Sequence, residues 1–221
     1  MTVIFDSHIF KGYLSKGECM KKIFTKEYWK SSLSHFYNVK SICMMGIFTA
    51  LMTVVGGICS LLPPIAGRTI SLIFLFWPLL GILFGPIGAS IVALIVDILM
   101  YFIFPTGYPF YLGYTLAEML IAFVSGLVFY KSKISILKLV LFEGFVDIIV
   151  HVGIESFFMN DIMQWHLGEA FNTYLLNGLI KNLILWPIEV LILIGLLSAL
   201  LPAFHSLKII DEEIPTKISV I

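Results

Sequence analysis

The sequence predicts an all-α integral membrane protein: six transmembrane helices in one compact bundle, with the N- and C-termini cytoplasmic. Three observations predict it. Of 221 residues, 59% are hydrophobic and 13% charged, with a mean hydropathy of +1.00, whereas a soluble domain carries about 25% charge. Six apolar runs approach the length of about 20 residues that spans a bilayer core. Twelve of the thirteen lysines lie in the two tails and in one connection on the same side as those tails.

Residues 1–40 hold seven lysines and no apolar run long enough for a signal-peptide core, so they read as a cytoplasmic tail that stays on the chain. Met20 opens "MKKIFTKEYWKSSLSHF", itself a normal lysine-rich start, so 1–19 reads as an upstream extension or a loose tail. The membrane domain occupies 41–201, with spans at 41–62, 69–85, 87–104, 115–130, 134–156 and 172–201. Pro, Gly or charged residues punctuate them. The second span is short and interrupted by Trp77-Pro78, a kink signal. Residues 202–221 form a second cytoplasmic tail. With the N-terminus inside, the inner regions hold twelve lysines and the outer loops hold only Arg68, as the positive-inside rule requires. The remaining lysine, Lys181, lies within the sixth span.

Composition also excludes functions. So few basic residues form no stripe that tracks a nucleic-acid backbone. Cys19, Cys43 and Cys59 make no CxxC or Cys/His cluster, so neither a disulfide framework nor a metal site is expected. The chain has no phosphate loop, no HExxH, no GxSxG and no internal repeat. No catalytic residue and no cofactor is expected.

The outer loops are richer than the inner turns. "PTGYPFYLGY" places Tyr108, Phe110, Tyr111 and Tyr114 among prolines and glycines, a stiff and compact setting for flat rings. Such rings suit the sandwiching of a heterocycle; the competing reading is an aromatic belt at headgroup level. Arg68 is the chain's only arginine. Its planar donor fork matches a carboxylate with two parallel hydrogen bonds, which lysine cannot do. The alternative is a cation snorkelling to lipid phosphate.

In the fifth span Glu143, Asp147, His151 and Glu155 recur every four residues, a polar stripe along one face of an α-helix. Ionisable groups at membrane depth face the bundle interior. Three readings stay open: buried pairing such as Glu155 with Lys181, a ligand wall using His151, Lys181 or Asn182, and a proton relay. Asp97 and Glu118 are single acids in the third and fourth spans, each read as bonding a neighbouring helix, with Asp97 the better placed to reach a ligand. Gly46 and Ala50, four apart in "GIFTA", permit close helix approach.

The run "RTISLIFLFWPLLGILFGPIGASIVALIVDILMYFIFPTGYPFYLGYTLAEMLIAFVSGLVFY" resembles the substrate-binding S components of energy-coupling factor (ECF) vitamin transporters, specifically their folate family. The resemblance lies in the arginine entering span two, "FGPIGA", "PTGYPF.LGYTL" and the "GLVFYK" exit, and extends to "YWKSSLSHFYNVKSICMMGIFTALMTVV" and "IKNLILWPIEVLIL". It implies a six-helix protein of the bacterial cell membrane that is not an enzyme. It also implies high-affinity binding of a vitamin, folate or a folate-like compound, near the outer surface. Partners follow from it too: a transmembrane scaffold subunit, met by the small-residue motif at Gly46 and Ala50, and two cytoplasmic ATPase subunits that use the ATP. The family's importer mechanism has the S component topple in the membrane. The alternative is a stand-alone proton-coupled transporter relying on the span-five stripe; a purely structural subunit would leave the aromatic loop and Arg68 unexplained.

Overall fold

The computed structural model describes residues 25–61, 71–105, 110–162, 169–207, 209–210 and 218–219. Arg68 and Tyr108 lie outside the described residues. The order is α1 (Lys26–Ser34), a 3₁₀ turn (His35–Tyr37), α2 (Val39–Ser60), a 3₁₀ turn (Ile73–Leu75) leading into α3 (Phe76–Ile103), α4 (Leu112–Phe129), α5 (Ile136–Gly144), α6 (Glu155–Phe157) and α7 (Glu169–Ser206). A π-helical stretch, Phe145–Ile154, joins α5 to α6 and a second, Phe158–Ile162, continues beyond α6, making one irregular rod. The described residues contain no strand, only an isolated bridge between Ser135 and Ser219.

Local chemistry sets the boundaries. Asn38, in an extended conformation, accepts from the Lys40 amide at 3.0 Å and so starts α2 at Val39, two residues before the apolar run begins. Ser135 caps α5 in the same way through the Lys138 amide. Four helices among the described residues are long and apolar enough to cross a membrane: Val39–Ser60, Ile73–Ile103, Leu112–Phe129 and Phe171–Ser206.

The helix written as α3 is broken at Gly85, whose φ of 68° and ψ of −174° suit glycine alone. Pro86 follows. A straight helix of this length would hold its ends about 40 Å apart. Instead Ile73 and Met100 meet at one point of α2: a Cβ built on Gly56 would lie 2.7 Å from Ile73 Cδ1 and 2.5 Å from Met100 Sδ. The two arms of α3 therefore fold back side by side, and the break sits where "FGPIG" separates the second and third predicted spans.

This hairpin and α4 form the centre of the molecule. Gly81 and Gly126 let them touch backbone to backbone: a Cβ on Gly81 would lie 2.6 Å from the Ser125 carbonyl carbon, and one on Gly126 the same distance from the Gly85 carbonyl carbon. Ser90 Oγ donates to the Met119 carbonyl and Ser125 Oγ to the Trp77 carbonyl, binding the arms to α4. Leu80, Phe84, Val92, Ile121 and Phe129 fill the core between them. The hairpin's most apolar window is 78% buried, against 17% for α7, which sits at the periphery with Leu176, Ile184 and Leu191 facing outward.

Residues 1–19, read as an extension or loose tail, lie outside the described residues; α1, within the 1–40 segment read as an N-terminal tail, packs on the bundle. Its Tyr28 hydroxyl donates to the Gly126 carbonyl at 3.0 Å, and Trp29 stacks on Phe123. Ser32, fully buried, donates from Oγ to the Phe84 carbonyl at 3.1 Å and accepts from the Ile87 amide at 3.2 Å. A break in a helix orphans its flanking amides and carbonyls, and one serine hydroxyl satisfies a group on each side of this one.

Candidate functional site

The hairpin brings Trp77 of the first arm against Asp97 and Met100 of the second, and α4 adds Thr115 and Glu118. Together Ile73, Trp77, Ala93, Val96, Asp97, Met100 and Glu118 line a cavity of about 30 Å³. That volume admits a water or the edge of a ring rather than a whole metabolite. The cavity lies between those ends of the α3 arms that are remote from the Gly85 turn, against the first turns of α4.

Two carboxyls reach it, and they differ. Asp97 accepts at Oδ2 from the Thr115 hydroxyl at 2.5 Å. Glu118 Oε2 is buried and has no hydrogen-bond partner among the described residues. Glu118 therefore lacks the satisfied interhelical bond expected for it. His151 and Glu155 of the irregular rod add their charges to this neighbourhood, with His151 Nδ1 at 2.8 Å from Glu155 Oε1. No group of His, Cys, Asp and Glu among the described residues is arranged to hold a metal ion.

The aromatic residues gather above. Phe110 packs edge-on against Tyr101, with centroids 5.2 Å apart. Tyr111 and Tyr114 meet Phe158 in a three-ring cluster with centroids 5.5–6.2 Å apart and interplanar angles of 68–84°. These rings pack edge to face on one another, the preferred geometry for adjacent quadrupoles. Gly113 permits it, because the Tyr111 ring lies over the space a Cβ would take.

The span-five stripe divides in two. Its outer members, His151 and Glu155, belong with Asp97 and Glu118. Its inner members are buried: Glu143 is 0% exposed with neither oxygen hydrogen-bonded among the described residues, and Asp147 Oδ2 is likewise unpartnered. Glu189 and Lys181 lie in electrostatic reach of Asp147. Asn182 Nδ2 donates to the Asp147 carbonyl at 3.0 Å and Trp186 Nε1 to the Val140 carbonyl at 3.0 Å, so α7 grips the rod by its backbone. The rod itself is widened: the Glu155 amide bonds the carbonyl five residues back, at Val150, so a spacing of four no longer tracks an α-helical face.

Gly46 and Ala50 stand on the outward face of α2 with Ile47, Leu51 and Val54. A Cβ at Gly46 would meet nothing within 4 Å. Sequence reasoning missed Trp77, Met100, Thr115 and Phe158 as neighbours of the site. Trp77 stood at the middle of span two in the sequence, and the adjacent proline directed attention to a kink.

Three comparisons bear on this arrangement. Residues 36–204 match the family model for the "ECF-type riboflavin transporter, S component". Two relatives, each called "Folate transporter FolT", are similar to this chain. The one from Clostridium novyi (strain NT) is 30% identical over 115 residues, covering 52% of this chain and 64% of its own length. The one from Leuconostoc mesenteroides subsp. mesenteroides is 29% identical over 125 residues, covering 55% of this chain and 66% of its own length. The chain thus spans a little under two thirds of the relatives it matches. A solved structure, described as FolT bound with folic acid, shares the fold with a TM-score of 0.61 at 24% identity, over 69% of this chain and 88% of that one.

Proposed function

Because the chain belongs to the ECF-type riboflavin transporter S component family, we propose that it is the substrate-binding subunit of an ECF importer for folate or a folate-like vitamin. It is a multi-pass membrane protein of a transport family. Two relatives named as folate transporters support folate over the riboflavin of the family's description. Its partners in this reading are a transmembrane scaffold and two cytoplasmic ATPases, which supply the ATP hydrolysis that the chain has no motif for. Six spans with both ends cytoplasmic fit this role, counting the two arms of α3 separately and the Ile136–Ile162 rod as the fifth. The lysine distribution supports that orientation.

In this reading the ligand sits at the end of the bundle remote from the Gly85 turn. Arg68 meets a carboxylate, Tyr108, Phe110, Tyr111 and Tyr114 frame the rings, Asp97 lies at the base, and His151, Lys181 and Asn182 stand along the α7 side. The cavity between the hairpin and α4, with its buried and unpartnered carboxyl, is the observation that carries a binding role. Purified protein should retain folate from rich medium and bind it without ATP or a proton gradient, as read by mass spectrometry of the copurified ligand and by calorimetry. Retention of riboflavin instead, or uptake by proteoliposomes holding this chain alone under a pH gradient, would replace this reading.

The open face at Gly46 and Ala50 supports docking of the scaffold. Ala50→Trp is expected to leave ligand affinity unchanged and abolish vitamin uptake when scaffold and ATPases are supplied. Loss of ligand binding in that variant would assign the motif to internal packing.

A further inference from the structure

We propose that α1 lies on the anionic headgroups of the lipid leaflet at the Gly85 end of the bundle, with Lys26 and Lys30 pairing with lipid phosphates and Leu33 and Tyr37 entering the interface beside them. The inference needs only the membrane-spanning character of the chain and is independent of the vitamin's identity.

α1 has two faces. Tyr28 and Ser32, four residues apart, turn toward the bundle, where they bond the Gly126 and Phe84 carbonyls. Lys26, Lys30 and Leu33, spaced four and three, fall on the opposite side of the helix and are exposed. Tyr37, in the 3₁₀ turn that follows, is 90% exposed. Lysines interleaved with exposed apolar side chains on one strip are the pattern of a helix lying in a headgroup layer, where long cationic stems cover apolar surface and carry their charge to the phosphates.

The next element fixes the depth. Val39, 74% exposed, begins α2, and Ile42, Ile47 and Leu51 carry the exposed apolar surface along the helix that crosses the hydrocarbon. α1 therefore stands a single 3₁₀ turn from hydrocarbon, at the level that interfacial tyrosine prefers. A soluble acidic partner would satisfy the lysines alone, whereas a leaflet takes both the charged and the apolar members of the strip.

Charge at this end is of one sign. The Tyr130 hydroxyl lies 2.9 Å from Ser31 Oγ and 3.1 Å from His35 Nε2, so the exit of α4 meets α1. Lys131 and Lys133 follow that exit directly, and Lys40 stands in the first turn of α2. Against these lysines Glu27 is the one exposed acid at this end among the described residues. The contact also reaches the hairpin, because the Ile87 amide donates to Ser32 Oγ of α1 at 3.2 Å. A leaflet that holds α1 in place protects that amide as well.

The test uses the full chain in nanodiscs of phosphatidylcholine, with and without phosphatidylglycerol, read by amide hydrogen exchange. Phosphatidylglycerol is expected to slow exchange across Lys26–Ser34 and at Ile87, and high salt to reverse the slowing. By native mass spectrometry from detergent, Lys26→Gln/Lys30→Gln is expected to hold phosphatidylglycerol about 25-fold more weakly than wild type, about 5-fold for each lysine near an anionic surface. Its retention of phosphatidylcholine and its thermal midpoint should be unchanged. Equal exchange of wild type in the two kinds of disc overturns the proposal without recourse to any variant. So does a double variant that keeps the wild-type hold on phosphatidylglycerol, which would place the lipid elsewhere. An equal slowing by inorganic phosphate in phosphatidylcholine discs also overturns it, since the strip would then bind a free anion and not a leaflet.

Discussion

Gly126→Ala is expected to destabilise the protein severely, while Gly46→Ala, the same substitution on another helix, is expected to stabilise it. Alanine at a helical position gains up to ~1 kcal/mol over glycine. At Gly46 nothing opposes that gain, because the space is open for 4 Å around the new carbon. At Gly126 the methyl would press on the Gly85–Pro86 backbone, with the Gly85 carbonyl carbon 2.6 Å away. Backbone held at a turn cannot rotate aside as a side chain can. Overpacking typically costs about 1–3 kcal/mol, and against rigid backbone it falls at the upper end, which exceeds the propensity gain and leaves a net loss of up to about 2 kcal/mol. Thermal midpoints in detergent should therefore fall for Gly126→Ala and hold or rise for Gly46→Ala. Equal midpoints would mean that α4 and the hairpin turn do not touch through backbone.

Ser32→Ala is the second large effect. Removing the hydroxyl strands the buried Phe84 carbonyl and the part-buried Ile87 amide beside the Gly85 break. At about 1–3 kcal/mol for each unsatisfied group, the expected loss is about 2–6 kcal/mol, toward the lower end because the Ile87 amide is only part-buried. Amide exchange at Ile87 should accelerate, and proteolysis should cut α1 from the folded core. Neither change is expected of Ser34→Ala, whose hydroxyl donates only to the Ser31 carbonyl within its own helix. If Ile87 exchanges at the wild-type rate in Ser32→Ala, the serine does not bridge the break.

These effects mark the boundary of what the sequence discloses. The break between spans two and three was legible, since glycine and proline between apolar runs announce a turn whatever surrounds them. The starts and ends of the long helices shifted by a few residues where a cap such as Asn38 decided them. α1 was not legible: "KEYWKSSLS" reads as a polar tail, and its anchoring depends on carbonyls and amides that only the folded hairpin leaves open. The stripe at Glu143, Asp147, His151 and Glu155 was legible as polar residues in an apolar span, but its division was not. Spacing carries the face of a helix only when the turn is known, and here the turn widens. Glu118 looked like an acid with a neighbouring helix to bond; Thr115 instead bonds Asp97, and no pattern in a chain shows which of two acids a hydroxyl will choose.

The first arm of the hairpin has a further consequence, in the thickness of the lipid around it. From Ile73 to Gly85 it rises only about 18–20 Å, whereas the hydrocarbon core measures about 30 Å. Beside α2, which at 22 residues is long enough to cross, this arm falls about 10 Å short. Bilayers answer such a deficit by thinning locally or by tilting the protein, at fractions of a kcal/mol per ångström. The short arm begins at Ile73, which also lines the cavity, so the deficit falls at the cavity end of the hairpin. Such uneven girth gives the bundle a built-in lean that a thinner bilayer would relieve and a thicker one would increase.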